Sequence, residues 1–153
     1  MNEKTSFMAG GVALDSCTVR AMRLDDYLVV IDFWKQTPGL RLSEADSKEN
    51  MDLFLQRNDG FSFVAEAAGQ LVGTILCGHD GRRGFLYHLA VHGGYRKKGL
   101  GRQLVRRCLA KLAANGIGKC HLFVMEGNDP AMDFWERVGF QRRDDIHIYS
   151  ATI

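Results

Sequence analysis

The sequence predicts an α/β (α+β) fold in which helices cover both faces of a mixed sheet. Three observations on the 153 residues predict it. Short β-prone runs separated by glycine turns over residues 61–91 predict antiparallel hairpins. A strand, an amphipathic helix and another strand follow over residues 85–125, which predicts a parallel pair with a right-handed crossover. Two further amphipathic helices precede the hairpins.

The first part of the chain predicts one strand and two helices. Residues 17–22 form the strand, and Asp25 or Asp26 caps a first helix that Pro38-Gly39 ends. A polar loop then leads to a second helix, which Asn58-Asp59-Gly60 closes. The composition of the loop, residues 43–47, does not separate a plain connector from a functional loop.

The middle of the chain predicts three strands and one long helix. The strands cover residues 61–66, 70–77 and 85–91, with turns rich in glycine between them. The helix begins near Gly99, and Asn115-Gly116 ends it. Its apolar residues recur at spacings of three to five, so one face of the helix is expected to pack on the sheet.

The last part predicts a fifth strand over residues 119–125 and a short helix. Asp129 is expected to cap this helix, with Pro130 at its first position and Gly139 at its end. Two short final strands are expected at residues 141–143 and 146–149. Residues 17–153 thus form one expected domain, preceded by a flexible extension over residues 1–16.

Composition narrows the class of protein. The net charge of +2 and the ordinary apolar content indicate a globular chain, not a nucleic-acid binder. Four scattered cysteines show no metal-ligand spacing, so no metal is expected, and they suit a reducing compartment. The chain begins without a signal-peptide pattern, and no apolar run is long enough to span a membrane. A cytoplasmic location without membrane partners is therefore expected.

The turn between the fourth strand and the long helix has the character of an anion site. It reads Arg96-Lys97-Lys98-Gly99-Leu100-Gly101. A helix N-terminus offers backbone N–H groups and partial positive charge, and the two glycines place no side chain in the way. The three basic residues add charge, so a phosphate or pyrophosphate is the expected ligand. Neither the P-loop nor the dinucleotide-binding pattern fits the residues.

Two blocks of sequence resemble the GNAT superfamily of N-acetyltransferases. The first is Leu89-Ala90-Val91 followed by Arg96, Gly99, Gly101 and Leu104, which is similar to the acetyl-CoA signature of that superfamily. The second is the segment from Asn128 to Phe140, which resembles the pattern N-x-x-A-x-x-F-Y-x-x-x-G-F. The order of elements from about Val19 to Tyr149 also matches.

The resemblance implies a fold, a cosubstrate and a set of binding residues. The fold is a mostly antiparallel sheet of six to seven strands, splayed between strands 4 and 5 and flanked by about four helices. Acetyl-CoA is the expected cosubstrate, its acetyl group passing directly to an amine, and a homodimer is common in the superfamily. The expected cofactor-binding residues are Leu89, Ala90, Val91, Arg96, Lys97, Lys98, Gly99, Leu100, Gly101, Arg102, Asn128, Ala131, Phe134 and Trp135.

The catalytic residues are less well determined by the sequence. The usual tyrosine acid of the second block is replaced by Trp135, whose indole N–H donates a hydrogen bond but has no useful acidity. Water, Tyr87, Tyr149 or the departing ammonium could protonate the thiolate instead. Tyr87 is the first candidate for the base, followed by His88 and Glu66, and a water-mediated route is an equal alternative. His88 faces away from Tyr87 unless a bulge shifts it.

Three functions fit the sequence. The leading one is an acetyl-CoA-dependent N-acetyltransferase acting on a primary amine of a small molecule or of a peptide or protein. The alternative is a non-catalytic acyl-CoA sensor, which Trp135 and the absence of a carboxylate on strand 4 motivate. A nucleic-acid-binding module, motivated by the basic stripe on the long helix, is the weakest. The acceptor and the size of the acyl group are not determined by the sequence.

Overall fold

The computed structural model describes residues 16–153, so most of the predicted N-terminal extension lies outside the described residues. These residues divide into two compact units, one up to Leu122 and one from Phe123 to Ile153. The elements of the first unit are β1 (Thr18–Ala21), α1 (Tyr27–Lys35), α2 (Lys48–Arg57), β2 (Phe63–Ala67), β3 (Gln70–His79), β4 (Gly84–Val91), α3 (Leu100–Ala114) and β5 (Cys120–His121). The second unit contains α4 (Asp129–Arg137). Short 3₁₀ turns at Leu24–Asp26, Glu44–Asp46 and Gly93–Tyr95 join the elements of the first unit.

The sheet has the mixed topology that the sequence predicts. Its strand order is β1-β2-β3-β4-β5, with antiparallel pairs from β1 to β4 and a parallel pair between β4 and β5. The parallel ladder pairs Gly84 with Cys120 and Phe85 with His121. β5 thus meets only the first two residues of β4 within the described chain, as a sheet that splays between these strands requires.

The prediction of six to seven strands is wrong for the described residues, where the sheet has five. The predicted fifth strand, residues 119–125, is reduced to Cys120–His121. Residues 141–143 and 146–149 form no strand in the described chain. The physical reason is that a β-prone run becomes a strand only where a second strand supplies its backbone hydrogen bonds.

Helices cover both faces of the sheet, and two glycines of β3 show it. Gly73 lies against the side chains of Leu100 and Leu104 of α3, whereas Gly78 lies against Phe54 of α2. Residues an odd number of positions apart on a strand point to opposite faces, so α3 and α2 lie on opposite sides. A core cluster on the side of α1 and α2 contains the fully buried Trp34.

Two predicted helix caps are corrected. Asp26 stands before α1, but its carboxylate bonds no α1 amide and instead accepts hydrogen bonds from Arg23 N–H and from Arg20. At α4 the cap is Asn128, whose side chain accepts from Ala131 N–H at 3.3 Å, and not Asp129. The predicted Pro130 falls within the first turn, where its missing N–H costs nothing.

No helix within residues 16–153 combines the length and the apolar character that crossing a membrane would need.

Candidate active site

The turn that follows β4 has an uncommon backbone conformation. Lys97 and Gly99 both have positive φ, 59° and 86°. Arg96 folds back so that its Nε donates to Val91 O at 2.9 Å, which ties the turn to the end of β4. Gly99 is the natural residue for its conformation, because a side chain there would meet the backbone.

Within residues 16–153 no side chain caps the N-terminus of α3. Gly99 is the N-cap residue, and it has no side chain that could accept from the first helical N–H groups. The first hydrogen bond of the helix runs from Gln103 N–H to Gly99 O at 3.0 Å, so the amides of Leu100 and Gly101 precede it. Such amides, with the partial positive charge of the helix end, suit a pyrophosphate.

Basic residues lie beside this helix end. A surface groove of about 370 Å³ is lined by Gly99, Arg102, Gln103, Arg106, Arg107 and Ala110. Arg107 is partly engaged elsewhere, with its guanidinium 5.1 Å from the ring centre of Phe63. The groove continues the positive field of the turn along the exposed face of α3, where phosphate groups would be attracted.

The segment Leu89-Ala90-Val91 offers a strand edge next to the turn. Ala90 pairs with Thr74 and Val91 with Gly73, so one edge of β4 is used by β3. On the other edge the ladder with β5 ends at Phe85, and no further pairing is found in residues 16–153. An extended ligand with its own amides could therefore add to the edge of β4 here.

A β-bulge in β4 brings Tyr87 and His88 to the same side of the sheet. The register with β3 shifts so that His88 and Leu89 stand opposite the single residue Ile75, and His88 has φ 49°. The Tyr87 ring packs edge-on to Phe54 of α2, and the His88 ring lies 4.7 Å from Trp34 of α1. The bulge that would shift His88 is thus present, as bulges near active sites often are.

His88 makes a short hydrogen bond with a residue that sequence reasoning missed. Its Nε2 lies 2.8 Å from Oδ1 of Asp46, which is only 6% exposed. Burial raises the pKa of the Asp46 carboxyl, but hydrogen bonds from His88 and from Ser43 N–H outweigh it and hold that pKa below its usual value. The pattern Ser43-x-x-Asp46 was the available signal, because it is a capping box that fixes such a loop.

Tyr87 is a partly exposed phenol with a raised pKa. Burial, and secondarily the charge of Cys120, raise the pKa of its phenol above the usual value. The side chain is still 38% exposed, so it can reach a ligand. A phenol with a raised pKa stays protonated near neutral pH and can donate that proton, while the role of base stays a prediction.

Glu66, the third candidate base, lies in an ion-pair cluster. Arg20 donates its Nε to Glu66 Oε1 at 3.0 Å and also binds the carboxylate of Asp26. The carboxylate of Glu66 therefore takes part in an ion pair that joins β1 to β2. Its role as a candidate base stays a prediction.

The remaining candidates lie in the second unit. Asn128 caps α4, Ala131 provides the amide that Asn128 binds, and Phe134 packs edge-on to Trp135 at 5.1 Å. Trp135 also packs edge-on to Phe140 at 5.1 Å. Trp135 is therefore the centre of an aromatic cluster within this unit, which agrees with a packing role for the indole.

Comparison with known proteins identifies the family of the chain. The profile of the Acetyltransferase (GNAT) family matches residues 28–140. Acetyltransferases of Sodalis glossinidius (strain morsitans) and Pectobacterium atrosepticum are each 34% identical over 128 residues, covering 84% of this chain and 89% and 90% of theirs.

Solved structures share the fold. The PaiA N-acetyltransferase of Thermoplasma acidophilum, in complex with coenzyme A, has a TM-score of 0.72 at 23% identity, covering 86% of this chain and 93% of its own. AAC(6')-Iy, in complex with the bisubstrate analogue CoA-S-monomethyl-acetylneamine, has a TM-score of 0.70 at 18% identity, covering 90% and 99%. The predicted fold class and the predicted reaction class, acetyl transfer, are confirmed: this chain belongs to the acetyltransferase (GNAT) family.

Proposed function

We propose that the chain transfers an acetyl group from acetyl-CoA directly to a primary amine of a small molecule or of a peptide or protein. The observation that carries the proposal is the junction of β4 and α3. There the helix end at Gly99, which no side chain of the described residues caps, follows within one turn the strand that carries Tyr87 and His88. The CoA-bound structural neighbours support the same cosubstrate.

The turn and the edge of β4 would hold acetyl-CoA in two parts. The amides of Leu100 and Gly101, with the charges of Arg96 to Arg102, would take the pyrophosphate. Leu89 and Val91 would hydrogen-bond the amides of the pantetheine arm as an added strand does, with Ala90 between them. Asn128, Ala131, Phe134 and Trp135 are proposed contacts by the resemblance of their block to the family's second motif.

The reaction requires a base that removes a proton from the amine and an acid that protonates the leaving thiolate. The amine nitrogen bonds to the carbonyl carbon of the thioester, and the carbon–sulfur bond breaks. His88 would accept the proton that the amine loses, because it is the histidine on the face shared with Tyr87. Tyr87 would give its phenolic proton to the leaving thiolate, a role that Trp135 cannot perform. Solvent then returns a proton to Tyr87 and removes one from His88.

The sensor alternative is not favoured. The chain's relatives at 34% identity are named acetyltransferases. A hydrogen-bonded His88–Asp46 pair beside a protonated Tyr87 is also more than a binding pocket requires. Two earlier expectations stay predictions. One is that residues 17–153 form a single domain. The other is that the protein is a homodimer, which sedimentation would test.

Release of free thiol from acetyl-CoA, measured over a panel of amines, tests the proposed function. The panel should contain small amines, amino acids, peptide N-termini and lysine side chains. Thiol release that depends on one of these amines, with the acetylated product identified by mass spectrometry, is expected. Tight CoA binding with no amine-dependent release would contradict the proposal and restore the sensor.

A further inference from the structure

Asp46 is a buried carboxylate whose two oxygens have separate tasks. Oδ2 accepts Ser43 N–H at 3.0 Å, which closes the capping box of the turn Glu44–Asp46. Oδ1 is 2.8 Å from Nε2 of His88, 42 positions along the chain. The capping box needs only one oxygen, so the second oxygen is available to act on the histidine.

The charge of Asp46 decides which nitrogen of His88 carries the proton. A carboxylate accepts hydrogen bonds and cannot donate them, so Nε2 must be the N–H of the pair. A neutral imidazole with its proton on Nε2 has its lone pair on Nδ1. Among residues 16–153 no hydrogen bond to Nδ1 of His88 is found.

Both the ring and the backbone of His88 are held in place beside this pair. Trp34 packs against it with ring centres 4.7 Å apart, and Trp34 Nε1 donates to Thr74 Oγ1 at 2.8 Å. Thr74 Oγ1 in turn donates to His88 O at 3.0 Å, which fixes the backbone of the bulge.

Few titratable groups surround the pair. The α1 helix contributes Tyr27, whose hydroxyl donates to Asp46 O at 2.8 Å, and β4 contributes the neighbouring Tyr87. Neither α2 nor any other described element places a hydrogen-bonding Lys or Arg on Asp46 or His88.

We propose that Asp46 is a positioning residue that keeps the proton of His88 on Nε2 and so presents Nδ1 as the atom that deprotonates the acceptor amine. In that step the amine N–H bond breaks, its electron pair stays on nitrogen, and the proton bonds to Nδ1. The resulting imidazolium lies against the Asp46 carboxylate, which stabilises its charge. The inference rests on the proposed function above, because it assigns an atom to the base of that reaction.

Imidazole nitrogen NMR on the unliganded protein tests the pairing without any turnover. Long-range ¹H–¹⁵N correlations of His88, recorded above the pH at which it deprotonates, should show a protonated Nε2 and an unprotonated Nδ1. In Asp46→Asn the two tautomers should mix, because an amide can donate to Nε2 as well as accept from it. A wild-type spectrum with the proton on Nδ1 would overturn the inference.

Kinetics then separate positioning from mere stability. Asp46→Asn should lower kcat about 10- to 100-fold, leave the Kd for CoA within about twofold, and move the acidic limb of the kcat/KM profile to lower pH. Asp32→Asn is the matched control and should change none of these, because Asp32 is an exposed carboxylate on α1 that bonds only Gln36 among the described residues.

The outcomes distinguish this inference from the function on which it rests. If the wild type acetylates an amine and Asp46→Asn retains its kcat and pH profile, the inference fails and the function stands. If the wild type acetylates no amine, the function fails and the assignment of a base fails with it, while the NMR result still decides the pairing. If Asp46→Asn does not fold, the wild-type spectrum remains the deciding measurement.

Discussion

Tyr87 is a neutral phenol at physiological pH, and burial raises its pKa above the usual value. If it gives its proton to the leaving thiolate, Tyr87→Phe should lower kcat by roughly 10²- to 10³-fold and leave the Kd for CoA nearly unchanged. Steady-state thiol release and calorimetry with CoA measure the two quantities. Tyr149→Phe is the control, because Tyr149 is 93% exposed and is the other tyrosine considered for this role. A larger loss in Tyr149→Phe than in Tyr87→Phe would exchange their roles.

The site residues differ in how far the sequence could predict them. The glycine turn and its basic residues were predictable, because their chemistry is local: a helix end, two glycines and charge within six positions. Asp46 was not, because its partner lies 42 positions away and its own neighbourhood explains it as a cap. The side of the sheet that His88 faces could be stated only conditionally, since a bulge changes orientation without a clear composition signal.

At the scale of elements, the bulge of β4 depends on a buried hydroxyl. Thr74 and Trp34 are both fully buried, and Thr74 Oγ1 joins the indole N–H to the His88 carbonyl. Thr74→Val keeps the shape but leaves the indole N–H without its acceptor, so the free energy of unfolding should fall by about 1–3 kcal/mol. Urea unfolding measures it. Thr74→Ser retains the hydroxyl and should lose less, and equal losses in the two variants would show that packing, not the hydrogen bond, matters.

The ends of the helices and strands show where the local sequence pattern is sufficient to predict an element. The helix Leu100–Ala114 was predicted almost to the residue, because its apolar stripe and its glycine turn are properties of its own sequence. The strand predicted at residues 119–125 was too long, because its extent depends on how far β4 remains beside it. The N-cap of α4 is Asn128 and not the predicted Asp129. Both residue types are good caps, so only the backbone conformation selects between them.

At the scale of the whole molecule, two carboxylates link stability to pH. The hydrogen bond from Arg20 lowers the pKa of Asp26, and hydrogen bonds from His88 and Ser43 hold the pKa of Asp46 low against the effect of burial. A depressed folded-state pKa gives stability that is present above the unfolded-state value, about 3.9 for Asp, and is lost as pH falls through the folded-state value. The urea midpoint should therefore be flat above about pH 5 and fall below about pH 4.

Asp26→Asn should be less stable near neutral pH and should lose less on acidification than the wild type. Asp144→Asn is the control, because Asp144 is largely exposed and, in the part of the chain that the structure describes, pairs only with Arg142. An acid-induced loss of the same size in the wild type and in Asp26→Asn would show that Asp26 does not contribute to the pH dependence.

Binding of CoA by Gly101→Val tests most directly whether the turn before α3 is the phosphate cradle of this acetyltransferase. Valine at a helix position changes the propensity term by well under ~1 kcal/mol, so the melting temperature of the unliganded protein should change little. A side chain that keeps a pyrophosphate from the helix amides should remove one or two charge-assisted hydrogen bonds of roughly 1.5–3 kcal/mol each. Calorimetry should then show a rise of at least about tenfold in the Kd for CoA.

A second ligand and a second variant serve as controls for this titration. Pantetheine, which lacks the pyrophosphate, should lose much less affinity for Gly101→Val than CoA does. Ala113→Val places the same side chain on the exposed last turn of α3 and should bind CoA as the wild type does. A large rise in Kd for CoA alone, confined to Gly101→Val, is the predicted result. If Gly101→Val binds CoA as tightly as the wild type, the turn is not the phosphate cradle and the assignment of the site is contradicted.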